Sequence, residues 1–201
     1  MSENPLYRLL DTPWVFRLSQ SVGAPGHITV IKNKIEKILH QHPTPRRLLD
    51  VGCGPSSWLW RVGLHPIGLD LSASYTREFA RTGELSVRGS AASLPFADGT
   101  FDSVWTVFVL HHLSDEVAQR TIREMLRVCR VGGYTVIIDG VMPRRPITRP
   151  VAWLLRRMDR GNHVRDEQQF RALVPTNSCT TQRITYAATG VEAMVFVTLK
   201  R

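Results

Sequence analysis

Between Arg47 and Asp139, short apolar runs alternate with stretches patterned as helices, and this alternation constrains the chain more than any other feature. The runs are Arg47–Val51, Pro66–Asp70, Leu85–Arg88, Phe101–Leu110 and Tyr134–Asp139. They are short, branched and bounded by turn residues, so they read as strands. Phe101–Leu110 carries Val104, Val107, Val109 and Leu110, the mark of burial on both faces. Ser74–Arg81 reads as a helix between two of the strands. A second helix starts at Ser114 as N-cap, with Asp115 and Glu116 in its first turn. Its inner stripe is Val117, Thr121, Ile122, Met125, Leu126 and Cys129, and Gly132-Gly133 is expected to close it. Such repetition predicts an α/β fold, a doubly wound and mostly parallel sheet with helices on both faces. Arg183–Ala187 and Glu192–Leu199, parted at Gly190, predict an antiparallel final hairpin and bring the strand count to seven.

A chain of 201 residues allows one domain. We divide it into a helical cap (1–45), a cofactor-binding core (46–140), a lid (141–175) and the closing hairpin (176–201). The cap holds helical turns interrupted at Pro13, then an amphipathic helix over His27–Gln41 with Ile28, Ile31, Ile35, Ile38 and Leu39. No apolar run reaches the length of a membrane span, and MSENPLYRLL lacks the basic and apolar regions of a secretory leader. Three widely spaced cysteines, Cys53, Cys129 and Cys179, argue against a disulfide framework and for a reducing cytoplasm.

The densest chemistry lies in Leu48-Leu49-Asp50-Val51-Gly52-Cys53-Gly54-Pro55. A glycine-rich turn after the first strand lets a ligand approach the backbone closely. Asp50 can attract a cationic amino-acid moiety, and Ser57 stands where a dinucleotide fingerprint wants a third glycine; both favour S-adenosylmethionine. Asp70 ends the second strand 18 residues after Gly52, where a carboxylate can accept from both ribose hydroxyls, and Leu71 can cover an adenine face. His111 and His112 follow the fourth strand, and a histidine there can deprotonate an acceptor near neutral pH. His111-His112-Leu113-Ser114-Asp115-Glu116 looks like a metal cluster, but first-turn helix charges explain its acids better, so no metal is expected.

LLDVGCG (48–54), GLDLS (68–72), LPFADGTFDSVWTVFVLHHL (94–113) and RVGGYTVIID (130–139) together resemble a class I S-adenosylmethionine-dependent methyltransferase. The likeness is to the broad group of type 11 and ubiquinone/menaquinone-type small-molecule enzymes, with a Rossmann-like fold. It covers roughly residues 46–140 and is specific for cofactor and fold, not for substrate. It implies that Asp50, Gly52, Cys53 (through its backbone) and Gly54 cradle the methionine part, with Asp70 on the ribose and Leu71 on the adenine. Val107 and Phe108 would lie beneath the sulfonium. Gly89-Ser90-Ala91 departs from the family's frequent Gly-Asp-Ala, so Ser90 offers the adenine an uncharged hydrogen bond. By the same resemblance His111 borders the acceptor, and Tyr7 closes over the cofactor and reaches the substrate.

Charge adds a second theme. Residues 1–140 carry +2, whereas residues 141–201 carry 11 basic and 4 acidic side chains, a net +7. The expected lid has Val151, Leu154, Leu155 and Met158 on one face, for the pocket or core. Around them lie Arg144, Arg145, Arg149, Arg156, Arg157 and Arg160, which suggests a partly apolar, anionic small-molecule acceptor. Two alternatives stay open: an RNA-binding or RNA-modifying protein on this fold, and a catalytically silent partner subunit. Lid helices of this kind also serve as contacts within homodimers.

Overall fold

The structure, a computed structural model, describes residues 26–159, 162–174 and 178–201. Tyr7, Arg160 and the turns interrupted at Pro13 fall outside these residues. Seven strands form one sheet: β1 (Leu48–Val51), β2 (Ile67–Asp70), β3 (Ser86–Arg88), β4 (Phe101–Val107), β5 (Cys129–Val141), β6 (Cys179–Thr185) and β7 (Glu192–Leu199). Their order is β3-β2-β1-β4-β5-β7-β6, so β1 lies inside the sheet. The first five strands pair in parallel, while β7 runs antiparallel to both β5 and β6.

Alternate residues of each central strand feed two separate cores, as a period of two requires. Leu49, Val104, Ile137, Met194 and Phe196 face one side; Leu48, Trp105, Val136, Ile138 and Val195 face the other. Helix α1 (His27–Gln41) covers the second side with Ile31, Ile35 and Ile38, each worth about 2 kcal/mol relative to an exposed position. Helix α2 (Ala73–Ala80) buries Phe79 against Gly68, where a Cβ would come within 2.7 Å of the ring. Helix α3 (Asp115–Val128) covers the first side with Ile122 and Met125. It is joined there by Phe170 and Leu173 of α5 (Glu167–Leu173), the helix that follows α4 (Pro150–Arg157).

Four expectations need correction. Strand β4 ends at Val107 rather than Leu110, because Leu110–His112 turns into a short 3₁₀ helix. Helix α3 ends at Val128, not at Gly132-Gly133: Cys129 turns extended (ψ 136°) and pairs with Phe101, so β5 starts well before Tyr134. The inner stripe of α3 is shifted accordingly, with Ala118 and Val128 buried and Val117 and Leu126 only half-buried. Strand β6 covers Cys179–Thr185 instead of Arg183–Ala187, since its pairing with β7 begins at Cys179↔Thr198.

Gly133 is required by close approach rather than by a helix cap. A Cβ there would come within 2.5 Å of the Asp102 carbonyl oxygen and 2.9 Å of Cys129 Sγ. Gly133→Ala is therefore expected to destabilise by about 1–3 kcal/mol, several degrees in melting temperature. Exposed Val131→Ala serves as the control and should shift the melt by less than about 0.5 kcal/mol. Equal melting curves for the two variants would refute the crowding.

Candidate functional site

The chain runs outward from β1 to β3 and returns to β4 on the other side of β1, so the strand order reverses between β1 and β4. A cleft opens at such a reversal, beyond the carboxyl ends of the strands. The carboxyl end of β1 leads into Gly52-Cys53-Gly54, and that of β4 into Phe108 and the His111 turn.

Gly52 and Gly54 both take the left-handed backbone (φ 74° and 61°). Gly52 has no room for a side chain: a Cβ would lie 2.5 Å from Val109 Cγ2. Gly54 is the opposite, with no atom within 4 Å of its Cβ position, so the turn has open space above it. The Leu69 carbonyl accepts from the N–H groups of Gly52 (2.7 Å) and Cys53 (3.1 Å), which ties the turn to β2. The Cys53 thiol is buried, contacts the Gly54 carbonyl and is pushed up by burial, so it stays protonated.

Two carboxylates flank this turn. Asp50 is buried and accepts one side-chain hydrogen bond, from Ser57 Oγ at 2.6 Å. Burial, opposed by Ser57 and reinforced by Asp70, pushes its carboxyl up to about 7. Ser57 also caps the following 3₁₀ turn by accepting from Leu59 N, so a residue read only as a missing glycine holds the acid in place. Asp70 accepts from Gly54 N (3.0 Å) and Ser72 N (2.8 Å), one on each oxygen. Burial raises its carboxyl against those bonds, and each oxygen keeps a lone pair for a further donor. Leu71 beside it is exposed. Ser90 is exposed, accepts from Ala92 N at 3.3 Å and keeps its hydroxyl proton to donate, while Ala91 is half-buried. This donor and acceptor set suits S-adenosylmethionine: an anion for the ammonium, a second for a diol, and open space above a glycine turn.

On the β4 side, Val107 is buried and Phe108 is half-buried. Phe108 takes the left-handed conformation (φ 59°), a strained one for a large side chain. Its N–H donates to the Ile138 carbonyl (2.8 Å), and its ring lies 5.9 Å from that of Trp58 and 5.2 Å from that of Tyr186.

His111 is buried and His112 exposed, which resolves the pair. The His111 ring Nδ1 lies 2.5 Å from Asp139 Oδ1, and its backbone N–H donates to Asp139 Oδ2 at 3.1 Å. With Nδ1 as the donor, Nε2 is left as the acceptor. Asp159 Oδ1 stands 3.8 Å from that nitrogen. Burial alone would push the ring down, but Asp139 first and Asp159 second override it and hold the imidazole above its ordinary value. Burial likewise pushes the Asp139 carboxyl up, and His111 outweighs this and holds it below the usual range.

Helix α4 leads into Asp159 beside this group, and it does not pack in the expected way. Val151, Leu154 and Met158 are exposed and Leu155 is half-buried, whereas Ala152 and Arg156 face inward. Arg156 lies flat on Gly140, whose Cβ would meet its guanidinium at 2.5 Å. It donates to the Tyr186 hydroxyl, to Asp159 Oδ2 (2.7 Å) and to the Glu192 carbonyl (3.1 Å). Nothing in the sequence announced the Arg156–Asp159–Tyr186 group, because its members meet only through tertiary packing.

The expected ring of arginines is mostly committed elsewhere. Arg144 pairs with Glu167, and Arg149 with Glu192, Thr185 and the Gly190 carbonyl. Arg165, which sequence reasoning missed, is buried on the Leu110 and Leu113 carbonyls and Asp115. Among the described residues no His/Cys/Asp/Glu group is arranged to hold a metal, and no helix is long and apolar enough to cross a membrane. A depression of about 600 Å³ lies at the far end of the sheet, among Arg46, Arg47, Arg130 and Tyr134. Asp102, which lines it, is already taken by Arg130 and the N–H groups of Arg46 and Arg47.

Comparison with known proteins agrees with this fold. Residues 49–137 match the family model described as a methyltransferase domain. A demethylmenaquinone methyltransferase from a Roseiflexus species is 34% identical over 120 residues, 55% of this chain and 50% of that protein. The chain thus spans about half the length of the curated relatives it matches. Among solved structures, a SAM-dependent methyltransferase from Thermotoga maritima superposes with a TM-score of 0.73 at 14% identity, covering 96% of this chain and all of that one. Geranyl diphosphate C-methyltransferase from Streptomyces coelicolor, solved with geranyl diphosphate and S-adenosyl-L-homocysteine, gives 0.61 at 14% identity over 84% and 78% of the two chains. At such identities the two structures speak for the fold.

The raised Asp50 carboxyl makes a stability prediction. Its folded value, about 7, exceeds its unfolded value of about 3.9, so its contribution is fully present below the unfolded value and is lost as pH rises through 7. Asp50→Asn removes that loss. Its melting temperature, measured without ligand, is expected to exceed the parent's at pH 8 and to approach it at pH 5. A gap that does not widen with pH would show that Asp50 ionises freely.

Proposed function

We propose that the chain catalyses S-adenosylmethionine-dependent methylation of a small, partly apolar acceptor in the cytoplasm, in keeping with the match of residues 49–137 to the methyltransferase domain model. The observation that carries this reading is the pairing of an anion-flanked glycine turn with a buried His–Asp couple across one cleft. S-adenosylmethionine, when bound, supplies a methyl group already activated on a sulfonium.

The chain's own residues hold, align and deprotonate. Asp50, ionised, attracts the ammonium of the methionine part, and Gly54 leaves that part room. Asp70 accepts from the ribose hydroxyls with the lone pairs its backbone bonds leave free. Leu71 covers the adenine, and Ser90 and Ala91 border it. Phe108 and Val107 form the floor beneath the reacting centre. Holding acceptor and methyl in line is worth about 7–11 kcal/mol of barrier. His111 Nε2 then takes the acceptor's proton as the new bond forms, for roughly 10²–10⁴-fold more. Asp139 fixes the tautomer and shares the positive charge that develops. Arg156 positions Asp159 at the edge of that ring and keeps α4 seated against water. The apolar floor and the prior pairing of most arginines favour a small acceptor over RNA.

Two measurements test the reading. Titration calorimetry with S-adenosylmethionine should give saturable binding, weakened in Asp70→Ala by the loss of two bonds to a charged acceptor, roughly 1.5–3 kcal/mol each. Unchanged affinity would place the ribose elsewhere. For His111, the ring resonance followed by NMR should titrate above the ordinary histidine value of about 6.5. In Asp139→Asn the largest upward influence is gone and the midpoint should fall below 6.5. Since the base must be neutral, methyl transfer should decline as pH drops through the same midpoint. An unmoved midpoint in Asp139→Asn would remove the couple from the mechanism.

A further inference from the structure

Helix α4 is seated on the sheet by Ala152, Leu155 and Arg156, and this leaves Val151 and Leu154 outward. Ile147 just before it is 94% exposed, Met158 just after it 73%, and Val151 and Leu154 within it more than half. At 100° per residue, Val151, Leu154 and Met158 fall within about 60° of one another, opposite Arg156. Scattered exposed apolar residues need no explanation, but a contiguous stripe on one helix marks a contact surface.

The surroundings say what kind of contact. Within this segment Arg145 and Arg157 carry no carboxylate partner among the described residues, and both are exposed at the two ends of the stripe. Arg157 lies over the ring of Trp153, 5.4 Å from its centroid, and Trp153 is itself partly exposed on the flank between Arg156 and Arg157. The acids nearest the segment, Asp159, Glu167 and Glu192, are already neutralised by Arg156, Arg144 and Arg149. The patch is thus apolar at its centre and cationic at its ends, with an amphipathic ring on one flank. A protein partner's apolar groove would match the centre alone. The polar–apolar boundary of an anionic bilayer matches all three parts, because tryptophan and arginine favour that depth.

We infer that the outer face of α4 docks this protein on the surface of an anionic phospholipid bilayer, lying on it without spanning it. Asp159, just past the end of this helix, stands 3.8 Å from His111 Nε2, so docking brings the His111 side of the cleft close to the bilayer. A long-chain apolar acceptor then enters without crossing water. That second step rests on the methyl-transfer reading, whereas docking itself does not.

Flotation of the full chain with vesicles tests it. With phosphatidylglycerol-rich vesicles the protein should float, and with pure phosphatidylcholine its affinity should be at least tenfold weaker. Added salt should erode the difference. Leu154→Glu with Met158→Glu should cut binding tenfold or more with an unchanged melting temperature, since both side chains are exposed. Arg145→Gln with Arg157→Gln touches no buried contact and should weaken binding roughly fivefold per arginine, from about 1 kcal/mol per cationic side chain at such a surface. A parent that stays unbound with both vesicle types overturns the inference, and a dimer broken by Leu154→Glu would then identify a second copy as the occupant. Binding unaffected by both pairs of substitutions overturns it equally. Failure of S-adenosylmethionine to bind in a parent that floats would count against the methyl-transfer reading alone.

Discussion

Asp139 is the interaction on which the working end of the molecule depends. It is a buried carboxylate at the end of β5 that accepts from His111 Nδ1, His111 N and Gly140 N. A buried charge persists only when its hydrogen-bonding capacity is met by fixed donors. Meeting it draws the turn after β4 onto the end of β5, which orients the imidazole and aligns Phe108 N with the Ile138 carbonyl. The next residue, Gly140, is bare so that Arg156 can lie across it, and Arg156 ties α4 to β5 and β7. Sheet, imidazole and α4 are thus joined through two neighbouring residues of one strand.

The two sides of the cleft differ in kind. On the β1 side Asp50 is a buried acid with one hydroxyl partner and an elevated carboxyl. On the β4 side the charges are already matched, Asp139 with His111 and Arg156 with Asp159. A binding subsite gains from unmet charge that a ligand can satisfy. A proton-transfer subsite gains from a preset tautomer. The fold places the glycine turn and the His111–Asp139 couple beyond the carboxyl ends of different strands.

Much of this was legible in the sequence. Strands buried on both faces leave near-continuous apolar runs, and β7 was found at its expected limits, Glu192–Leu199. His27–Gln41 was likewise found as read, because three isoleucines on one face need a core. The failures have physical causes. Gly132-Gly133 looks like a helix terminator, yet the helix ended earlier because Cys129 was claimed by the ladder opposite Phe101. Strand β6 is an edge strand with alternating half-exposed residues, so its start carries little apolar signal. On α4 the apolar stripe faces outward, since the inner surface offers a bare glycine, a tyrosine hydroxyl and a carbonyl that suit a guanidinium. Charge counting gave the excess but not its arrangement: Glu167 alone takes Arg144, Arg171 and Arg183, a clustering that no net charge reveals.

The central claim is that the glycine turn and the His–Asp couple serve one reaction across one cleft. A crystal structure of this chain soaked with S-adenosyl-L-homocysteine tests it most directly. The account predicts density with the amino-acid end at Asp50 and Gly54, the ribose hydroxyls on Asp70, and the sulfur above Phe108 on the His111 side. Ribose density away from Asp70, or a sulfur turned from His111, would contradict it.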